Sequence, residues 1–146
     1  MRTTRTTAIA GSAVALAAIA ATALGTGTAA ADTAANSPIY TLATNGACAG
    51  TFTSGLGHYP GQVDLGAQGY LVGVGPCSLG IDFVFTSRAD GHVATFTRHL
   101  SGPGAIGLAG KDVVSPGKSG VYDVTVEPRA QFIGKQSFTF DTTYRP

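Results

Sequence analysis

The sequence predicts an all-β domain: a β-sandwich of about seven to eight short antiparallel strands, with a small β-barrel as the alternative. Three observations carry that expectation. Apolar and polar residues alternate at period two in segment after segment, a helical period is almost absent, and Gly, Pro, Asn and Asp pairs punctuate the chain at short intervals. The length of 146 residues suits one domain.

The first 31 residues stand apart. Met1-Arg2-Thr3-Thr4-Arg5 is basic, Ala8 to Leu24 carries no charge, and Ala29-Ala30-Ala31 precedes Asp32. A basic start, an apolar run and a small-residue site are the parts of a Sec-type signal peptide, so residues 1–31 are read as a cleaved leader. The Ala-dominated run is weak as a membrane span, and no Cys follows it to take a lipid. The expected product is secreted and extracellular. The Ala, Gly and Thr bias suggests a bacterial source. Removal of Arg2 and Arg5 leaves seven basic residues against eight acidic ones, a net charge of −1. Such a chain has no electrostatic footprint for nucleic acid or for an anionic membrane.

Residues 32–38 read as a flexible lead-in ending at Pro38, and residues 39–146 as the β-domain. Ile39 to Thr44 and Ala47 to Thr53 flank Asn45-Gly46, a favoured hairpin pair. Gln68 to Val74 is a strand interrupted by Gly69 and Gly73; these and Gly75 mark bulges or close backbone approach. Gly80 to Arg88 and His92 to Leu100 flank Asp90-Gly91. A two-residue loop there pairs Ala89 with His92. It sets Phe85 against Phe96, Ile81 against Leu100, Asp82 against His99 and Phe83 against Arg98. Pro60-Gly61, Pro103-Gly104 and Pro116-Gly117 suit type II turns, and Ser101 to Gly120 is the least regular stretch. Val121 to Glu127 and Gln136 to Tyr144 alternate cleanly, with Tyr122, Val124 and Val126 on one face of the first and Phe138, Phe140, Thr142 and Tyr144 on one face of the second. Cys48 and Cys77 are the only cysteines, and in an exported chain they are expected to pair.

The string Ser119-Gly120-Val121-Tyr122-Asp123-Val124-Thr125-Val126 resembles the start of the sixth strand in immunoglobulin-like and fibronectin-type domains. The resemblance implies an immunoglobulin-like sandwich and a tyrosine corner, with the Tyr122 hydroxyl turned back to upstream backbone and Val124 where antibody domains carry their second core cysteine. The chain lacks the antibody Trp, and its cysteines fall too early and too close for the usual inter-sheet pair.

No Gly-x-Ser-x-Gly, His-Glu-x-x-His, Cys-x-x-Cys or phosphate-binding Gly-x-x-x-x-Gly-Lys-Ser/Thr occurs. No catalytic residue, metal ligand or cofactor is expected. The best chemical grouping is Asp82 with His99, read first as an exposed cross-strand pair. His92 and His99 differ by an odd offset and so point to opposite faces; His58 decorates a turn. Tyr40, Tyr59, Tyr70 and Tyr144 are candidate contact residues, or caps on the ends of the sandwich. The leading expectation is a secreted, non-enzymatic binding or adaptor module. It would meet another secreted or cell-surface protein through loops or an edge strand, with Asp32–Tyr40 and Gln136–Tyr144 as segments able to exchange. An inhibitor of a secreted hydrolase and a carrier of a small apolar molecule are the alternatives. Partner identity and oligomeric state do not follow from the sequence.

Overall fold

The computed structural model describes residues 31–34 and 37–143; the leader through Ala30 and Tyr144 lie outside the described residues. The described chain is all-β. Its ten strands are β1 (Ala31–Ala34), β2 (Ile39–Leu42), β3 (Asn45–Tyr59), β4 (Gln62–Ser87), β5 (Val93–Gly102), β6 (Gly104–Gly107), β7 (Val113–Val114), β8 (Val121–Pro128), β9 (Phe132–Ile133) and β10 (Gln136–Asp141). All pairings are antiparallel. The sheet runs β10-β8-β4-β3-β2-β9, with β1 beside β3 and with β5, β6 and β7 beside β4. It curls into a half-barrel with additional strands. Part of the expected lead-in is thus a strand, since β1 pairs with Gly55–Gly57 of β3.

One strand organises the whole. β4 runs for 26 residues and takes in both Gln68–Val74 and Gly80–Ser87, which the sequence separates at Gly75-Pro76. Gly75 adopts φ +74°, and the partners change there rather than the strand ending. Before it β4 lies between β3 on one edge and β6 and β7 on the other; after it β4 lies between β5 and β8. The irregular stretch after β5 therefore carries the chain from the second half of β4 back to the first.

The period-two pattern decides what is inside. Phe52 and Leu56 of β3, Leu65 and Leu71 of β4, and Ile81, Phe83 and Phe85 further along β4 are buried. Tyr122, Val124 and Val126 of β8 and Phe138 and Phe140 of β10 meet them. The Cys48–Cys77 disulfide joins β3 to β4 with a Cα–Cα distance of 6.2 Å, and both cysteines are core residues. Among the described residues no cysteine is free. Two polar contacts fix the frame. The Tyr122 hydroxyl donates to the Lys118 carbonyl at 2.5 Å, four residues upstream. The Gln136 side chain, 2% exposed, accepts from Ser54 N at 3.1 Å and Ser54 Oγ at 2.6 Å, and donates to the Ser37 carbonyl at 2.6 Å. Tyr122 is held above the ordinary tyrosine pKa by burial, with the Asp90 charge adding to the shift.

The β4–β5 hairpin departs from the expected register by two residues. Ser87 N bonds the His92 carbonyl, Gly91 N bonds the Ser87 carbonyl, and Arg88 to Gly91 form the loop. A type I′ turn at Asp90-Gly91 needs positive φ at both central residues. Gly91 has it, at +71°, but Asp90 does not. The side chain of Asp90 instead accepts from His92 N at 3.2 Å. Phe83 therefore faces Phe96, Ile81 faces Arg98, and Asp82 faces Thr97. A shift of two keeps every residue on its face, whereas a shift of one would have inverted the sheet. The Phe85 and Phe96 rings still meet, diagonally and edge-on, at 5.8 Å.

Candidate functional site

The grouping of Asp82 with His99 is not formed, because the register places His99 opposite Gly80. Asp82 accepts from Thr97 Oγ1 at 2.6 Å and meets Arg129 Nε at 3.3 Å, so its carboxylate is occupied by structural partners. Arg98, expected opposite Phe83, makes a two-pronged pair with Asp112, whose backbone N donates to Asp64 Oδ1 at 2.7 Å. That pair ties β5 to the loop before β7, and it raises the Arg98 pKa chiefly through the hydrogen bond from its guanidinium. The His58 ring lies 5.7 Å from Phe140. His92 borders a small hollow of about 250 Å³ with Asp90, Gly117, Lys118 and Tyr122. Among the described residues no three His, Cys, Asp or Glu side chains gather as metal ligands would.

The feature that stands out is the outer face of the sheet around β2, β3 and the first half of β4. Two turns build it. The hairpin through Asn45-Gly46 sets Tyr40 opposite Thr51 and Leu42 opposite Ala49. The two-residue turn at Pro60-Gly61, with Gly61 at φ +67°, sets Thr51 opposite Tyr70, Ala49 opposite Val72 and Ala47 opposite Val74. β9 then brings Ile133 beside Tyr40, and β6 brings Ala105 beside Tyr70. The result is a row Ile133–Tyr40–Thr51–Tyr70–Ala105 across five strands, with Leu42–Ala49–Val72 and Ala47–Val74 as the next two rows. At the usual strand spacing the face measures roughly 19 by 14 Å.

These side chains point away from the core and are not covered. Tyr40 is 57% exposed, Tyr70 55%, Val72 66%, Val74 85% and Ile133 77%. No Asp, Glu, Lys or Arg occurs in the three rows. Two shallow grooves flank Thr51: one of about 850 Å³ beside Tyr40, Leu42 and Phe132, and one of about 500 Å³ beside Tyr70 and Ile106. A contiguous exposed apolar area of this kind is uncommon on a monomer. Chemically it offers apolar surface for burial and a pair of tyrosine hydroxyls that can donate or accept hydrogen bonds.

Of the tyrosines singled out in the sequence, Tyr40 and Tyr70 come together on this face. Tyr59 sits elsewhere, its ring 5.6 Å from Lys111 Nζ. The aliphatic members, Leu42, Val72, Val74 and Ile133, were not singled out. The signal for them is that β4 keeps alternating through Tyr70, Val72 and Val74 while its opposite side, Leu71 included, goes to the core. A scan against family models finds no match, and no curated protein or solved structure matches the chain. Among the described residues no helix is long and apolar enough to cross a membrane.

Proposed function

We propose that the protein is a secreted, non-enzymatic protein-binding module whose contact surface is the outer face of β9, β2, β3, β4 and β6. The observation that carries this reading is the uncharged row Ile133–Tyr40–Thr51–Tyr70–Ala105, with its aliphatic neighbours, left open to solvent. Tyrosines at the centre of an apolar patch are common anchors of protein interfaces. Export is supported by the leader-like first 31 residues and by the disulfide, which forms and persists in oxidising compartments. The face becomes the favoured surface over the loops and strand exchange, because six of the nine exposed large hydrophobic residues among the described residues lie on it.

The test uses the secreted protein as immobilised bait against the culture fluid of its own producer. Wild-type bait should retain a protein in stoichiometric amount, and a Tyr40→Ser/Tyr70→Ser double variant should lose it. Equal retention by both baits would refute the assignment of this surface.

A further inference from the structure

We infer that the occupant of this face is a second copy of the same chain, in a two-fold symmetric dimer that packs sheet against sheet. The inference rests on the reading of the face as a protein-binding surface and names its partner.

Area is the first support. Six large side chains on the face, Tyr40, Leu42, Tyr70, Val72, Val74 and Ile133, are 47% to 85% exposed. Together they present on the order of 700 Å², close to one partner's share of a standard interface. Charge is the second. A two-fold interface sets a patch against its own copy, so a charged residue near the axis would face its like. The three rows contain none, and they are aliphatic and aromatic with one threonine. Homodimer interfaces are the more apolar kind, whereas interfaces between different proteins carry polar and charged groups that fix their partner. Shape is the third. The outer face is a sheet, and two sheets of the same twist pack about 10 Å apart with interdigitating side chains. Val74 and Ile133 protrude, and the grooves on either side of Thr51 give protruding side chains somewhere to go.

Sedimentation equilibrium of the secreted protein from about 1 to 100 μM is the measurement. Val72 lies in the middle row and is 66% exposed, so a charge there leaves the core untouched. The wild type should sediment as a dimer. Val72→Asp and Val72→Lys should each weaken dimerisation by a hundredfold or more, on the order expected for an unpaired charge in a desolvated interface. Mixing the two variants should restore a dimer, because opposite charges then meet across the axis. A monomeric wild type throughout that range overturns the inference. So does a dimer that survives both charges, since the contact then lies elsewhere. A monomer whose bait still captures a different protein, lost on Val72→Asp, overturns self-association alone and leaves the binding reading standing. A monomer that captures nothing overturns both.

Discussion

Replacing Gln136 tests whether the fold is held by one buried amide that links three parts of the chain. Its Oε1 accepts both donors of Ser54, and its Nε2 donates to Ser37; Gln136 is 2% exposed and Ser54 is 4% exposed. Gln136→Ala removes the acceptor and leaves the Ser54 N–H and O–H without it in a site closed to water. Each stranded donor costs about 1–3 kcal/mol, and the vacated volume adds to that. A loss of about 3–5 kcal/mol follows. In a domain of this size that lowers the melting temperature by roughly 12–25 °C. Gln136→Leu separates the contributions, because it refills the volume and still strands the donors; it should lose about 2–3 kcal/mol. Adding Ser54→Ala to Gln136→Leu removes one stranded hydroxyl, so the double variant should recover about 1 kcal/mol. Urea and thermal unfolding of the four proteins supply the numbers. If Gln136→Leu matches the wild type, or if Ser54→Ala makes it worse, the amide does not hold the fold in the way described.

Three further outcomes follow from the same geometry. Reducing Cys48–Cys77, 29 residues apart, should cost about 3.6 kcal/mol by the loop-entropy relation, read as the shift in urea midpoint with and without reductant. Tyr122→Phe should cost about 1 kcal/mol at neutral pH by removing the donor to Lys118. The Tyr122 pKa is raised in the folded state, so its contribution is whole below the unfolded value near 10 and fades as pH climbs through the folded one. The wild type should therefore lose stability in the alkaline range more steeply than Tyr122→Phe, as a pH series of melting curves would register. Gly73→Ala places a methyl against the Ala47 carbonyl and the Cys48 side chain, so the strands must part. It should lose about 1–3 kcal/mol, and a melting temperature equal to wild type would show that β3 and β4 do not approach as closely there.

The outer face was written in two turns that are plain in the sequence. A two-residue loop at Asn45-Gly46 makes paired numbers total 91, and one at Pro60-Gly61 makes them total 121; the observed pairs Tyr40 with Thr51 and Thr51 with Tyr70 obey both. The all-β class, the core-facing alternation of β8 and β10 and the pairing of Cys48 with Cys77 were legible for a similarly local reason: each follows from residue type and parity. Asp90-Gly91 misled because its dipeptide is the same kind of signal, yet Asp90 stays at negative φ and the loop takes four residues. What separates the turns is tertiary. The Arg88 guanidinium is held by Asp123 and Thr139 on the neighbouring strands, and Arg88 N bonds the Val121 carbonyl, so Arg88 is drawn toward β8 and is not available to extend the hairpin with β5. Long-range partners of that kind leave no trace in a dipeptide. The face needed none: its register comes from local turns, and its openness comes from the fact that no other strand of the described chain crosses over it. A surface fixed by local rules and left uncovered by the fold is where selection for a partner can act without disturbing the core, and three rows that are aliphatic or aromatic at every position but Thr51 are more apolar than solubility requires.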